Sequence, residues 1–251
     1  MRVDLPVEHF HGRDGVELAY REVGDGRPLV LIHGFFSNAR VNWIKYGTAA
    51  TLAERGFRVV MPDLRAHGDS AKPHEPAAYY PDVLAEDGEA LLEHLGLTDY
   101  DLGGYSLGGR TVARMLVRGA RPRRALIMGM GLDGILHPRL NREHFLDVLS
   151  TDRTFAHGTP EFLTQAFLRT TGGDPLALIH VLDTQVDSSL AELAAVPVPT
   201  AIVLGTEDDN GPGPELADAL GEGYFVPIPG SHMAAVTRPE LAAAIGDFLC
   251  G

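Results

Sequence analysis

Gly104-Tyr105-Ser106-Leu107-Gly108 is the stretch of this chain best suited to covalent chemistry. It lies between a short apolar run and a helical one, the context of a Gly-x-Ser-x-Gly turn in which the serine occupies a sharp bend and its Oγ stands clear of a sheet. Flanking glycines remove the Cβ atoms that would collide at such a bend. The first amides of the following helix face the same space and can hold a developing oxyanion. Taken alone, the pentapeptide also fits a glycine-rich turn with an incidental serine. A serine hydroxyl is a weak nucleophile at neutral pH, so the chemistry requires a base, usually a histidine oriented by a carboxylate.

Eleven histidines compete for the role of base. His9, His11, His74, His94, His137, His144, His157 and His180 fall in strand-like, helical or polar-loop stretches away from the glycine-rich turn. His232 differs, because Ile228-Pro-Gly-Ser-His-Met233 follows the last strand-like run, and sites in open α/β sheets form at the carboxyl ends of strands. His33, at the end of an earlier strand-like run, and His67, in Pro62-Asp-Leu-Arg-Ala-His-Gly-Asp-Ser70, are its rivals. For the acid, Gly205-Thr-Glu-Asp-Asp209 offers Glu207, Asp208 and Asp209, with Asp133 a fourth candidate; each alone also suits a turn or cap. A second oxyanion amide fits His33-Gly34-Phe35-Phe36, whose glycine lets the backbone turn toward a nucleophile.

The elements that must position these groups follow from periodicity. An Asp14-Gly15 turn joins His9 to Arg13 with Val16 to Glu22 as a hairpin. Short apolar runs then recur at Leu29 to Ile32, Arg58 to Met61, Tyr100 to Leu102, Arg124 to Met128, Thr200 to Leu204 and Tyr224 to Val226, as buried parallel strands do. Between them, Ala49 to Arg55, Leu84 to Leu95, Thr111 to Arg118, Glu215 to Leu220 and Pro239 to Leu249 carry apolar residues at helical spacing. This alternation predicts a mostly parallel sheet covered by helices on both faces. From Gly134 to Val196 strand signals vanish, and Phe145, Leu146, Leu149, Phe162 and Phe167 sit in helix-like contexts, predicting a helical insertion.

With Ser106, Asp208 and His232 in that order, and His33-Gly34-Phe35 upstream, the chain resembles the α/β-hydrolase superfamily. Leu31-Ile-His-Gly34, Pro62-Asp-Leu-Arg-Ala-His-Gly-Asp-Ser70, Gly104-Tyr-Ser-Leu-Gly-Gly109 and Gly205-Thr-Glu-Asp208 with Gly230-Ser-His232 carry the resemblance. It covers nearly everything outside the insertion and implies an α/β-hydrolase fold: residues 1–133 and 197–251 as the core and 134–196 as a helical cap. It also implies Ser106 as nucleophile, His232 as general base, Asp208 as the orienting acid and the amides of Phe35 and Leu107 as oxyanion hole. His33, Asp63 and His67 then become scaffold. Tyr105 stands where the family often has His, and Ala66 where it often has Gly. Serine at the nucleophile position disfavours dehalogenation, which in this fold uses a carboxylate there.

The expected activity is that of a cofactor-independent carboxylesterase cleaving small or medium apolar acyl esters through an acyl-enzyme, with Phe36, Met128 and Met130 as candidate pocket residues. Carbon–carbon bond hydrolysis, lactone opening, thioester cleavage and perhydrolysis use the same residues, and a non-catalytic ligand receptor is the reading from another class. No metal is expected: the sequence lacks a His-Glu-x-x-His helix and a cysteine pair, and His9-x-His11 fits a solvated strand. No spaced dinucleotide fingerprint appears.

The 251 residues suit one generous domain. Thirty-four acidic against 21 basic side chains give a net charge of −13 with no basic footprint, which disfavours nucleic acid and anionic membranes as partners. A homo-oligomer is compatible with this composition. The single cysteine, Cys250, excludes an intrachain disulfide. Met1 to Glu8 carries two acids where a secretory signal needs an apolar core, and no apolar run approaches the roughly 20 residues of a membrane span. A cytoplasmic location is the expectation.

Overall fold

A computed structural model describes residues 5–251; the first four, on which the reading of the N-terminus partly rests, lie outside the described residues. Eight strands form one sheet: β1 (Glu8–His11), β2 (Glu17–Val23), β3 (Arg27–Ile32), β4 (Phe57–Pro62), β5 (Asp101–Tyr105), β6 (Ala125–Met128), β7 (Thr200–Gly205) and β8 (Gly223–Ile228), in the order β1-β2-β4-β3-β5-β6-β7-β8. β1 and β2 form the hairpin at one edge, and β2 runs antiparallel to β4. From β4 to β8 every pairing is parallel. The carboxyl ends of β3, β5, β7 and β8 therefore open on one edge of the sheet, and each is followed by one of the candidate site segments.

The central strands are buried on both faces, which explains their continuous apolar sequences. Along β3, Leu29 and Leu31 join the core on one face and Val30 and Ile32 that on the other. The first core receives α1 (Thr48–Glu54) through Ala49 and Leu52, and α11 (Pro239–Cys250) through Leu241 and Ile245. The second receives α2 (Val83–His94), α3 (Leu107–Val117) and α9 (Gly213–Ala219) through Leu91, Val112 and Leu216. Among the described residues no helix is long and apolar enough to cross a membrane.

Between β6 and β7 the chain forms α4 (Leu132–Leu136), α5 (Arg142–Leu149), α6 (Pro160–Thr171), α7 (Pro175–Val181) and α8 (Leu190–Ala194). Their starts are written in the sequence. Thr159 and Asp174 cap α6 and α7, each followed by a proline whose missing N–H is not needed there. Ser189 and Glu192 form a reciprocal capping box on α8. Leu168, Leu178 and Val181 join the hydrophobic core, so these helices are packed against the rest of the molecule rather than tethered to it.

Candidate active site

Ser106 sits between β5 and α3 with φ 55° and ψ −114°, a backbone conformation costly for a side-chain-bearing residue. The bend is held from both sides, since Ser106 N–H donates to Met128 O at 2.8 Å and Ser106 O accepts from Arg110 N–H at 3.0 Å. The glycines are required by contact. A Cβ on Gly104 would lie 2.2 Å from Gly108 O, and one on Gly108 would lie 2.1 Å from Ile32 O. No side chain fits either position, so α3 packs directly against the ends of β5 and β3.

His232 opens α10 (His232–Ala235), just beyond β8. Its Nδ1 lies 2.9 Å from Asp208 Oδ2, and the Asp208 side chain is fully buried. A proton on Nδ1 lets it donate to that carboxylate and leaves Nε2 as the basic nitrogen, while the Asn210 side-chain nitrogen lies 2.7 Å from the same Nδ1. Asn210 donates to Asp208 Oδ1 through its backbone N–H, at 3.1 Å, and its side-chain amide, at 2.9 Å. Tyr105 donates its hydroxyl to His232 O at 2.6 Å, tying the histidine's backbone to the residue before Ser106. Asp209, by contrast, is exposed. Sequence reasoning singled out neither Asn210 nor this role of Tyr105.

Leu107 N–H belongs to the first turn of α3, and Phe35 N–H follows the end of β3; neither has a backbone acceptor among the described residues. Both residues line a cavity of about 240 Å³ with Ser106, His232, Met130 and Phe145. An adjoining hollow of about 70 Å³ shares Phe35, Ser106 and His232 and is walled by Phe167, Met233 and Val236. The candidate nucleophile thus stands where two chambers meet. Phe145 on α5 packs edge-to-face on Phe35 with ring centroids 5.1 Å apart, so the helical insertion contributes directly to the wall.

A family model described as alpha/beta hydrolase fold matches residues 27–208. The chain belongs to this family. Among its relatives, "AB hydrolase superfamily protein YisY" of Bacillus subtilis is 29% identical over 93% of this chain and 95% of its own length. A "Non-heme haloperoxidase" of Rhodococcus erythropolis is 36% identical, but the match spans only 46% of this chain and 41% of that protein. In three dimensions, a hydrolase from Pseudomonas aeruginosa PA01 superposes with a TM-score of 0.80 at 23% identity, covering 98% of both chains. Other matches are named as epoxide hydrolases, a 2-hydroxymuconate semialdehyde hydrolase, an enol-lactonase and an aryl esterase. This variety means that membership of the family leaves the scissile bond open.

His33 and His67, the rival histidines, brace the turn of this α/β hydrolase that carries Phe35. His33 donates from Nδ1 to Gly34 O at 2.8 Å and accepts from Leu64 N–H on Nε2 at 2.9 Å. His67 likewise donates to Arg65 O at 2.9 Å and accepts from Phe36 N–H at 3.3 Å. Both rings are buried and neutral, and burial pushes them down, His33 to about 4 and His67 to about 3. Asp63 supports the same region by accepting from Ala39 N–H at 2.7 Å and Asp69 N–H at 2.9 Å.

Those two histidines set a pH dependence of stability. In the unfolded chain an imidazole takes up a proton near pH 6.5, whereas in the fold these resist protonation to about pH 4 and 3. Their contribution is therefore complete above about pH 6.5 and is lost as the pH falls through that value, at up to about 1.4 kcal/mol per pH unit per proton. In urea titrations, His67→Gln is expected to lose about 2 kcal/mol less than the wild type between pH 7 and pH 5. Equal losses would mean that His67 is not buried neutral.

Two expected pocket residues lie elsewhere. Met128 is fully buried in the core beneath the sheet, on the opposite face from Ile127, as strand alternation dictates. Phe36 turns inward at φ 60° and packs behind Phe35 with ring centroids 4.2 Å apart. Neither lines either chamber, whereas Met130 lines the larger.

Proposed function

We propose that this α/β hydrolase is a serine esterase in which Ser106, His232 and Asp208 hydrolyse the ester of a small or medium, largely apolar molecule. The observation that carries this reading is the serine held at a strained turn and lining the same cavity as a histidine whose Nδ1 is engaged by a buried carboxylate, with all three at the carboxyl edge of one sheet.

In the first half-reaction Ser106 Oγ attacks the ester carbonyl carbon while His232 Nε2 takes its proton. The carbonyl oxygen becomes an oxyanion held by the N–H groups of Leu107 and Phe35. Collapse breaks the bond to the alkoxy oxygen, which leaves with the proton from Nε2 and yields the acyl-serine. Water then attacks that carbonyl with its proton passing to Nε2, and the collapse returns the proton to Ser106 Oγ and releases the acid. Asp208 fixes the imidazole tautomer and stabilises the cation formed in each step.

The test is turnover of p-nitrophenyl acetate and p-nitrophenyl butyrate. Release of nitrophenolate well above the buffer rate is expected, because the ring and acyl chain fit chambers walled by Phe35, Phe145 and Phe167. A rate equal to buffer alone for both esters would refute the esterase reading.

A further inference from the structure

Arg110 lies one turn beyond Ser106 on α3 and lines the larger chamber. Its guanidinium is partly buried, with Nε donating to Gly134 O at 2.9 Å and Nη1 to Pro138 O at 3.1 Å. Nη2 has only the weakly accepting Met130 Sδ, 3.9 Å away. Among the described residues, no carboxylate lies within ion-pair distance of it. Every other charged side chain lining the chamber is differently placed. Arg142 is paired with Asp183 at 2.8 Å, His232 with Asp208 at 2.9 Å, and Asp133 and Asp209 are exposed.

A guanidinium held partly out of water with no anion beside it is costly, because buried charges are ordinarily paired. Desolvation pushes Arg110 down to about 10, so it remains a cation at neutral pH. The two carbonyls fix its plane, while Arg110 N–H donating to Ser106 O ties its backbone to that of the nucleophile. The second chamber, beyond Ser106, is walled by Phe167, Met233 and Val236 and offers no such cation. A substrate spanning the serine thus meets the Arg110 cation in a chamber also lined by the exposed Asp133 and Asp209 on one side, and on the other Phe167, Met233 and Val236 with the uncharged polar Asn42 and Thr237.

We infer that the natural substrate of this site carries a carboxylate, bound by Arg110 in the larger chamber, while the scissile ester lies at Ser106 and an apolar portion fills the smaller chamber. This rests on the esterase reading for its chemistry and adds the substrate class. The net charge of −13 gives no long-range attraction for anions, so selection for the carboxylate would be made inside the chamber by this residue.

The experiment compares kcat/KM for mono(4-nitrophenyl) glutarate and 4-nitrophenyl pentanoate, which are similar in length and differ in the terminal carboxylate. The wild type is expected to favour the glutarate ester by about 10-fold or more, and Arg110→Gln to lower that ratio about 10- to 100-fold, as for a charge-assisted hydrogen bond. Arg110→Lys, which keeps the charge, should retain the ratio within about fivefold. A wild-type ratio at or below one, a ratio unchanged in Arg110→Gln, or an equal fall in Arg110→Lys would overturn the proposal.

Should neither ester turn over, the esterase reading fails, and the anion site is read separately by calorimetric titration with monomethyl glutarate. Binding to the wild type that is lost in Arg110→Gln supports the carboxylate site. No binding to the wild type, or equal binding to both proteins, overturns it.

Discussion

Ser106→Ala lowers turnover of p-nitrophenyl butyrate by roughly 10⁴- to 10⁶-fold, the loss expected when the nucleophile of a triad is removed and only binding and the oxyanion donors remain. The variant should fold, because alanine is smaller than serine and the bend is held by backbone hydrogen bonds to Met128 and Arg110 rather than by the hydroxyl. Circular dichroism and an unchanged melting profile would establish this. Nitrophenolate release at the wild-type rate by folded Ser106→Ala would place the chemistry on another residue. Intermediate losses of tenfold or less would assign Ser106 to substrate binding.

The second large effect falls on the acid. Asp208→Asn is expected to reduce kcat about 10³- to 10⁴-fold, because an amide no longer holds the proton on His232 Nδ1 and Nε2 ceases to be the basic nitrogen. Asp209→Asn should stay within about threefold of wild type, since Asp209 is exposed and makes no bond to His232. The reverse ranking would transfer the acid to Asp209. The neighbouring amide sharpens the contrast: Asn210 donates twice to Asp208 Oδ1 and makes no such bond to Asp209.

Much of this site is legible in the chain because its key spacing is local. Glycines two residues either side of Ser106 are demanded by the contacts with Gly108 O and Ile32 O, so the sequence carries a direct record of the turn. The acid is different. Glu207, Asp208 and Asp209 are adjacent, and nothing in their types says which faces inward; only the family resemblance, in which the acid is usually the third residue after the glycine ending the penultimate strand, singles out Asp208. In the structure Asp208 is the one whose carboxylate reaches His232 Nδ1, in a turn after β7 where Glu207 N–H bonds to Gly230 O and Asp208 N–H to Gly205 O. Asn210 and the Tyr105 hydroxyl carry no signature of their own in the sequence: Asn210 bonds to Asp208 two residues away within an acidic turn, and the Tyr105 hydroxyl meets His232 O, 127 residues away.

Element boundaries show the same division. The helical spacing predicts α3 from Thr111, whereas the helix begins at Leu107, because the Gly108-Gly109 pair reads locally as a helix breaker while its tight packing on β3 and β6 stabilises the helix. α10 is too short to display periodicity, although it is the element that carries His232. Met128 and Phe36 are candidate pocket residues in the sequence, whereas in the structure Met128 ends a strand whose alternate side chains enter opposite cores. Arg110 falls within a run rich in glycine and small residues, and its lack of an acid partner emerges only once the surrounding chain is in place.

The central claim is that Ser106 is a nucleophile activated by its surroundings, and the most direct measurement is reaction with a fluorophosphonate followed by peptide mass mapping. Stoichiometric addition to the peptide that contains Ser106, in step with loss of esterase activity and abolished in Ser106→Ala, is the predicted result. Complete inactivation with the label on any other peptide, or persistent activity after Ser106 is fully modified, would contradict it.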